Sequence, residues 1–134
     1  MSDKLIYLAS PYSHKDDSVR FQRFETIAKV AAKLMSQGVY LFCPITHTHP
    51  INEAGINNPG WDFWCKYDYM MLDRCQELWI ADMEGWQQSV GVTAEIKYMM
   101  EAKKPVYLFN HYNVLEDLPY KLVEQYNPFL SQRI

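Results

Sequence analysis

The sequence predicts a three-layer α/β domain, a parallel sheet of four or five strands with helices on both faces. Two observations carry that expectation. Short apolar runs alternate with longer segments whose apolar residues recur at helical spacing, the pattern that lays successive strands side by side in one sheet. The runs are continuous rather than alternating, as in strands covered on both faces.

Leu5 to Ala9 is the first run, broken by Ser10-Pro11-Tyr12-Ser13. Asp16, Asp17 and Ser18 are candidate caps for the helix that follows. Phe21, Phe24, Ile27, Ala28, Ala31, Leu34 and Met35 share one face of it, and Gly38 closes it. Val39 to Cys43 is the second strand, stopped by Pro44, so this stretch reads as one right-handed βαβ unit. Residues 44–60 hold Pro44, Pro50, Gly55, Pro59 and Gly60 and read as a long loop, a length that is often functional. A helix from Trp61 to about Gln76, a strand from Leu78 to Ala81 ending at Asp82, and a loop from Met83 to Val90 come next. A helix from Gly91 to Ala102 leads into the strand Pro105 to Phe109. Leu118 to Tyr126 reads as a last helix, with a tail after it. This is a flavodoxin-like or Rossmann-like arrangement. Such sheets bind ligands beyond the carboxyl ends of the strands, where the strand order reverses. Ser10 to Ser18, Pro44 to Gly60 and Asp82 to Ser89 are therefore the expected site loops.

Bulk properties narrow the function classes. The 134 residues fit a single domain, 1–134, able to bury a core without staples. A net charge of -3 with no basic face argues against a nucleic acid polymer as partner. A small nucleotide stays compatible, because a helix N-terminus and one or two cations can hold a phosphate. Aromatic residues make up 15% of the chain, enough to fill a core or line a site for a planar ligand. Cys43, Cys65 and Cys75 are odd in number and lack C-x-x-C spacing, so they read as buried thiols of a reducing compartment. With no leader-like segment and no apolar stretch of membrane length, the expected location is cytoplasmic, with no membrane partner. Dinucleotide, P-loop and serine-elbow motifs do not occur. His47 and His49 form an H-x-H step without a well-spaced third ligand. No metal and no cofactor are expected, and His47 is read as a hydrogen-bonding group for substrate, with a solvent-facing loop the competing reading.

Two carboxylates interrupt apolar stripes. Asp68 lies among Trp61, Trp64, Cys65, Met71, Leu72 and Cys75. An unpaired buried carboxylate is costly, so Asp68 is paired, at the stripe's edge, or facing a cavity. Glu95 falls between Val92 and Met99 on the next helix, either as a helix-capping glutamate or as a group aimed at a site. Ser89 and Gly91 precede that helix, where a hydroxyl and free N–H groups cap it or hold a ligand oxygen. Trp61, Trp64, Trp86 and Tyr12 are candidates to stack on a base, with structural packing the competing reading for each.

These segments together resemble a family. Ile6-Tyr7-Leu8-Ala9-Ser10-Pro11 is similar to the first strand and turn of nucleoside 2-deoxyribosyltransferases and the related 2'-deoxynucleoside 5'-monophosphate N-hydrolases. Ser89-Val90-Gly91-Val92-Thr93-Ala94-Glu95 resembles their catalytic-glutamate stretch, and Asp68 with the Leu78 to Asp82 strand resembles their aspartate segment. The likeness spans about residues 5 to 109. It implies cleavage of the N-glycosidic bond of a nucleoside or nucleoside 5'-monophosphate, as hydrolase or base-exchange transferase. Glu95 would be the nucleophile, Asp68 would orient the sugar or protonate the leaving base, and Tyr7 would bond near the nucleophile. Ser89 fills a slot that holds serine in the hydrolases and aspartate in the transferases, which favours hydrolysis. Ser10, Pro11, Tyr12, His47, Trp61, Trp64, Ser89, Gly91 and Asp82 complete the expected substrate contacts, in a homodimer or homotetramer. The chain departs from the pattern at Ser10, where glycine is frequent, and at Ser10-Pro11-Tyr12-Ser13-His14-Lys15, which replaces a Gly/Arg-rich phosphate loop. Lys15 or Arg20 would have to substitute for it. The competing reading is a nucleotide-binding or sensing module without turnover. A receiver-like domain is disfavoured, because Ala9-Ser10-Pro11 stands where its acidic pair belongs.

Overall fold

A computed structural model describes residues 4–57 and 59–125. Five strands form one sheet in the order β2-β1-β3-β4-β5: β1 (Ile6–Ala9), β2 (Leu41–Phe42), β3 (Glu77–Ala81), β4 (Val106–Phe109) and β5 (Leu122–Glu124). β1 pairs in parallel with β2 and β3, and β3 with β4, whereas β5 runs antiparallel to β4. The helices are α1 (Asp17–Ser36), α2 (Pro44–Ile51), α3 (Trp61–Arg74), α4 (Val90–Glu101) and α5 (His111–Leu115).

Alternation along the strands builds two cores. Ile6, Leu8, Trp79, Ala81 and Phe109 face Ile27, Val30 and Leu34 of α1 and Val114 of α5. Tyr7, Ala9, Leu78, Ile80 and Val106 face Leu72 of α3 and Val92, Ile96 and Met99 of α4. The three-layer expectation holds, since β1, β3 and β4 pack against helices on both faces of the sheet. The strand order reverses between β1 and β3, whose following helices α1 and α4 lie on opposite faces. Among the described residues, no helix is long and apolar enough to cross a membrane.

Local chemistry sets the element ends. Asp16 caps α1 by accepting from Ser18 N, and Gly38 leaves the helix at φ +93°. Arg74 ends α3, two residues short of the expected Gln76.

Three expectations are corrected. Residues 44–60 are mostly helical: Pro44 sits in the first turn of α2, where its missing N–H costs nothing. α2 then widens into a π-helical turn, Asn52–Ile56, which kinks at Gly55 (φ 147°) and is closed by Asn57 at φ 60°. Because Cys43 caps α2, β2 keeps only Leu41 and Phe42 of the expected run. The Leu118 to Tyr126 helix is not formed over its described part. The short α5 precedes it and exposed Leu122, Val123 and Glu124 pair with β4. Tyr126 and the tail lie outside the described residues.

Candidate functional site

The cleft opens at the reversal point. Its walls are the segment after β1, α2 with its π-helical turn, one face of α3, and the first turns of α4. Ser10, Tyr12, Trp61, Trp64, Asp68, Ser89, Gly91 and Glu95, all singled out from the sequence, line it.

Glu95 and Asp68 are both buried, at 4% and 5% exposure. Ser89 caps α4 by accepting from Val92 N, so a capping-box glutamate would stand at position 92. Glu95 lies a turn further on and is no cap. The helix dipole decays within the first turn, so it gives Glu95 little help in holding a charge. Burial dominates instead. It pushes the Glu95 carboxyl well above the carboxylate range, the neighbouring Asp68 charge adds to the shift, and the Tyr7 hydroxyl opposes it. Burial likewise pushes Asp68 up to about 7, again opposed by Tyr7. Each negative charge disfavours the other, so the pair favours a state with one charge and one proton at neutral pH.

Tyr7 is fully buried on the α3/α4 side of β1, and its hydroxyl donates to Glu95 Oε2. Burial first, then the two carboxylates, pushes its own phenol well up, which keeps Tyr7 a proton-bearing donor. Cys43, buried nearby, is pushed up to about 11 by burial, which makes it a packing group rather than a nucleophile.

Part of the cleft's polar surface is unsatisfied. Four buried side-chain atoms have no hydrogen-bond partner among the described residues: Ser10 Oγ, Asn52 Oδ1, Trp64 Nε1 and Asp68 Oδ1. All four residues line this cleft. Buried polar groups are normally paired, so their convergence marks a place built for a polar ligand.

The family described as a domain of unknown function, DUF1937, matches residues 4–111. The chain belongs to the DUF1937 family. No curated protein matches it. The matched span holds both carboxyls, Tyr7 and all four unsatisfied atoms.

Four sequence-selected positions of this DUF1937 domain, Asp82, His47, Pro11 and Trp86, do not line the cleft. Asp82 accepts from the His111 backbone N–H, at 2.9 Å, and pairs with His111 Nδ1 at 2.5 Å. It thereby ties β3 to the start of α5, and of the Asp82 to Ser89 loop only Ser89 reaches the cleft. His47 is exposed on α2, stacked on Tyr67 with ring centroids 5.7 Å apart. Pro11 is buried but does not line the cleft. Trp86, a stacking candidate, is buried in the α3/α4 core.

Thr48 and Asn52 line the cleft and were missed from the sequence. Their signal is the spacing Pro44, Thr48, Asn52, one buried helical stripe masked by the prolines around it. Tyr12 holds one end of this wall through its hydroxyl, 2.7 Å from His49 Nδ1. His49 in turn stacks on Phe24 at 4.2 Å.

Proposed function

We propose that the cleft cleaves the N-glycosidic bond of a nucleoside or nucleoside 5'-monophosphate, with Glu95 as nucleophile. The observation that carries this reading is the meeting of two buried carboxyls, one held by a buried tyrosine, in one polar cleft. Departure of a base from C1' leaves an oxocarbenium-like centre, which a carboxylate stabilises or captures.

In the productive state the pair's one proton has moved from Glu95, where burial and the Asp68 charge favour it, to Asp68, and the Tyr7 hydroxyl holds the ionised Glu95. Glu95 attacks C1', the C1'–N bond breaks, and its electron pair leaves with the base. Asp68 gives that base its proton, so the base departs neutral. Water then attacks C1' of the glycosyl ester, the C1'–O bond to Glu95 breaks and Glu95 leaves as its carboxylate, and the water's proton passes to the Asp68 carboxylate, which releases the free sugar and restores the starting state. A second base in place of water gives exchange. Hydrolysis is the favoured outcome, from the resemblance at Ser89. Trp61 and Trp64 supply aromatic faces for the base.

Base release by the purified protein, followed chromatographically over ribo- and 2'-deoxynucleosides and their 5'-monophosphates with and without a free acceptor base, tests the reading. Free base without an acceptor is the expected result. Product only with an acceptor makes the protein a transferase, and no release from any of them, in folded protein, overturns the proposal.

A further inference from the structure

The unsatisfied atoms describe their ligand. Asn52 Oδ1 accepts only, and Asp68 Oδ1 accepts whenever the carboxyl is ionised or its proton lies on the other oxygen. Trp64 Nε1 only donates, and the Ser10 hydroxyl does either. Ser10, Asn52 and Asp68 are each more than nine-tenths buried, so water-like exposure does not relieve them. A sugar hydroxyl brings a donor and acceptors at once and satisfies this mixed set. A phosphate brings acceptors alone, which suit Trp64 and Ser10 but oppose Asn52 Oδ1 and the carboxyl pair.

The arginines beside the Tyr12–Ser13 wall are already engaged, and Lys15 is exposed and does not line the cleft. Arg23 Nη1 donates to Ser13 O at 3.0 Å, and its Nη2 lies 3.4 Å from Glu84 O. Arg20 donates to His14 O and pairs with Asp17. No lysine or arginine lines the cleft among the described residues. At the start of α4, Ser89 Oγ is occupied with Val92 N at 3.2 Å. A phosphate would therefore enter a site with two carboxyls and no counter-cation.

We propose that this cleft takes an uncharged, hydroxyl-bearing glycoside, an unphosphorylated nucleoside, and discriminates against the corresponding 5'-monophosphate. The inference rests on the reading of the cleft as an N-glycoside site and narrows its substrate class. Ser10, Asn52, Trp64 and Asp68 are its recognition groups, and discrimination comes from leaving acceptors facing a dianion.

The test pairs binding with turnover on the full chain. Equilibrium binding of matched nucleosides and 5'-monophosphates is measured by calorimetry on the Glu95→Gln variant and on wild type, and base release on wild type. The expected result is nucleoside binding and kcat/KM at least about a hundredfold above the monophosphate, with Asn52→Ala weakening the nucleoside about tenfold. Monophosphate bound or turned over as well as its nucleoside overturns the inference while leaving the glycosidase reading intact. Nucleoside bound selectively without base release supports the inference and overturns the glycosidase reading. Folded protein that binds neither overturns both.

Discussion

At the scale of single residues, the Asp68–Glu95 pair links the site to stability. Burial raises Asp68 from its ordinary 3.8 to about 7. The folded protein thus holds this proton more tightly than the unfolded chain does. Its effect on stability is most favourable below about pH 4 and is lost as pH rises through 7. Asp68→Asn has no such proton to lose, so its melting temperature relative to wild type should climb between pH 4 and pH 8, by the equivalent of about 2–4 kcal/mol. A difference that stays flat with pH would contradict the assignment. Tyr7 acts in the opposite sense, since its hydroxyl favours the charged form of Glu95. Tyr7→Phe should lower kcat about 10- to 100-fold and move the acid limb of the pH–rate profile to higher pH, measurable by base release across a buffer series. An unmoved limb would limit Tyr7 to packing. Asp68 and Glu95 were legible in the sequence because carboxylates interrupt apolar helical stripes. The state of their protons was not, because it depends on burial that only the tertiary fold creates.

At the scale of elements, α4 is where fold and site meet. Ser89 caps the helix that carries Glu95, so Ser89→Ala should cost about 1 kcal/mol, read as a lowered denaturant midpoint. A Cβ at Gly91 would meet Cε3 of Trp61 at 3.4 Å, an ordinary van der Waals contact. β1, β3, β4, α1, α3 and α4 were legible because each combines a clean period with a recognisable end. α2 was hidden by Pro44 and Pro50, whose breaker character is tolerated at the helix start and in its last turn. β5 was misread because its three exposed residues carry no apolar pattern, and it is a strand only through pairing with β4. The same gap explains Asp82: a strand-end carboxylate looks like a ligand contact until α5, with His111 at its start, fills the adjacent position.

At the scale of the molecule, a central sheet with helices on both faces leaves one crevice where the strand order reverses. Glu95 reaches it from α4, Asp68 from α3, Ser10 from the end of β1 and Asn52 from the turn after α2. That crevice was predictable from strand and helix order alone, whereas the π-helical wall was not, since its register follows from packing. The central claim, that the crevice breaks an N-glycosidic bond through Glu95, is tested most directly by base release from wild-type protein and Glu95→Gln side by side, with circular dichroism and melting to show that both are folded. Release by wild type and a loss of about three orders of magnitude or more in the variant is the expected result. Comparable release by a folded Glu95→Gln protein would contradict it.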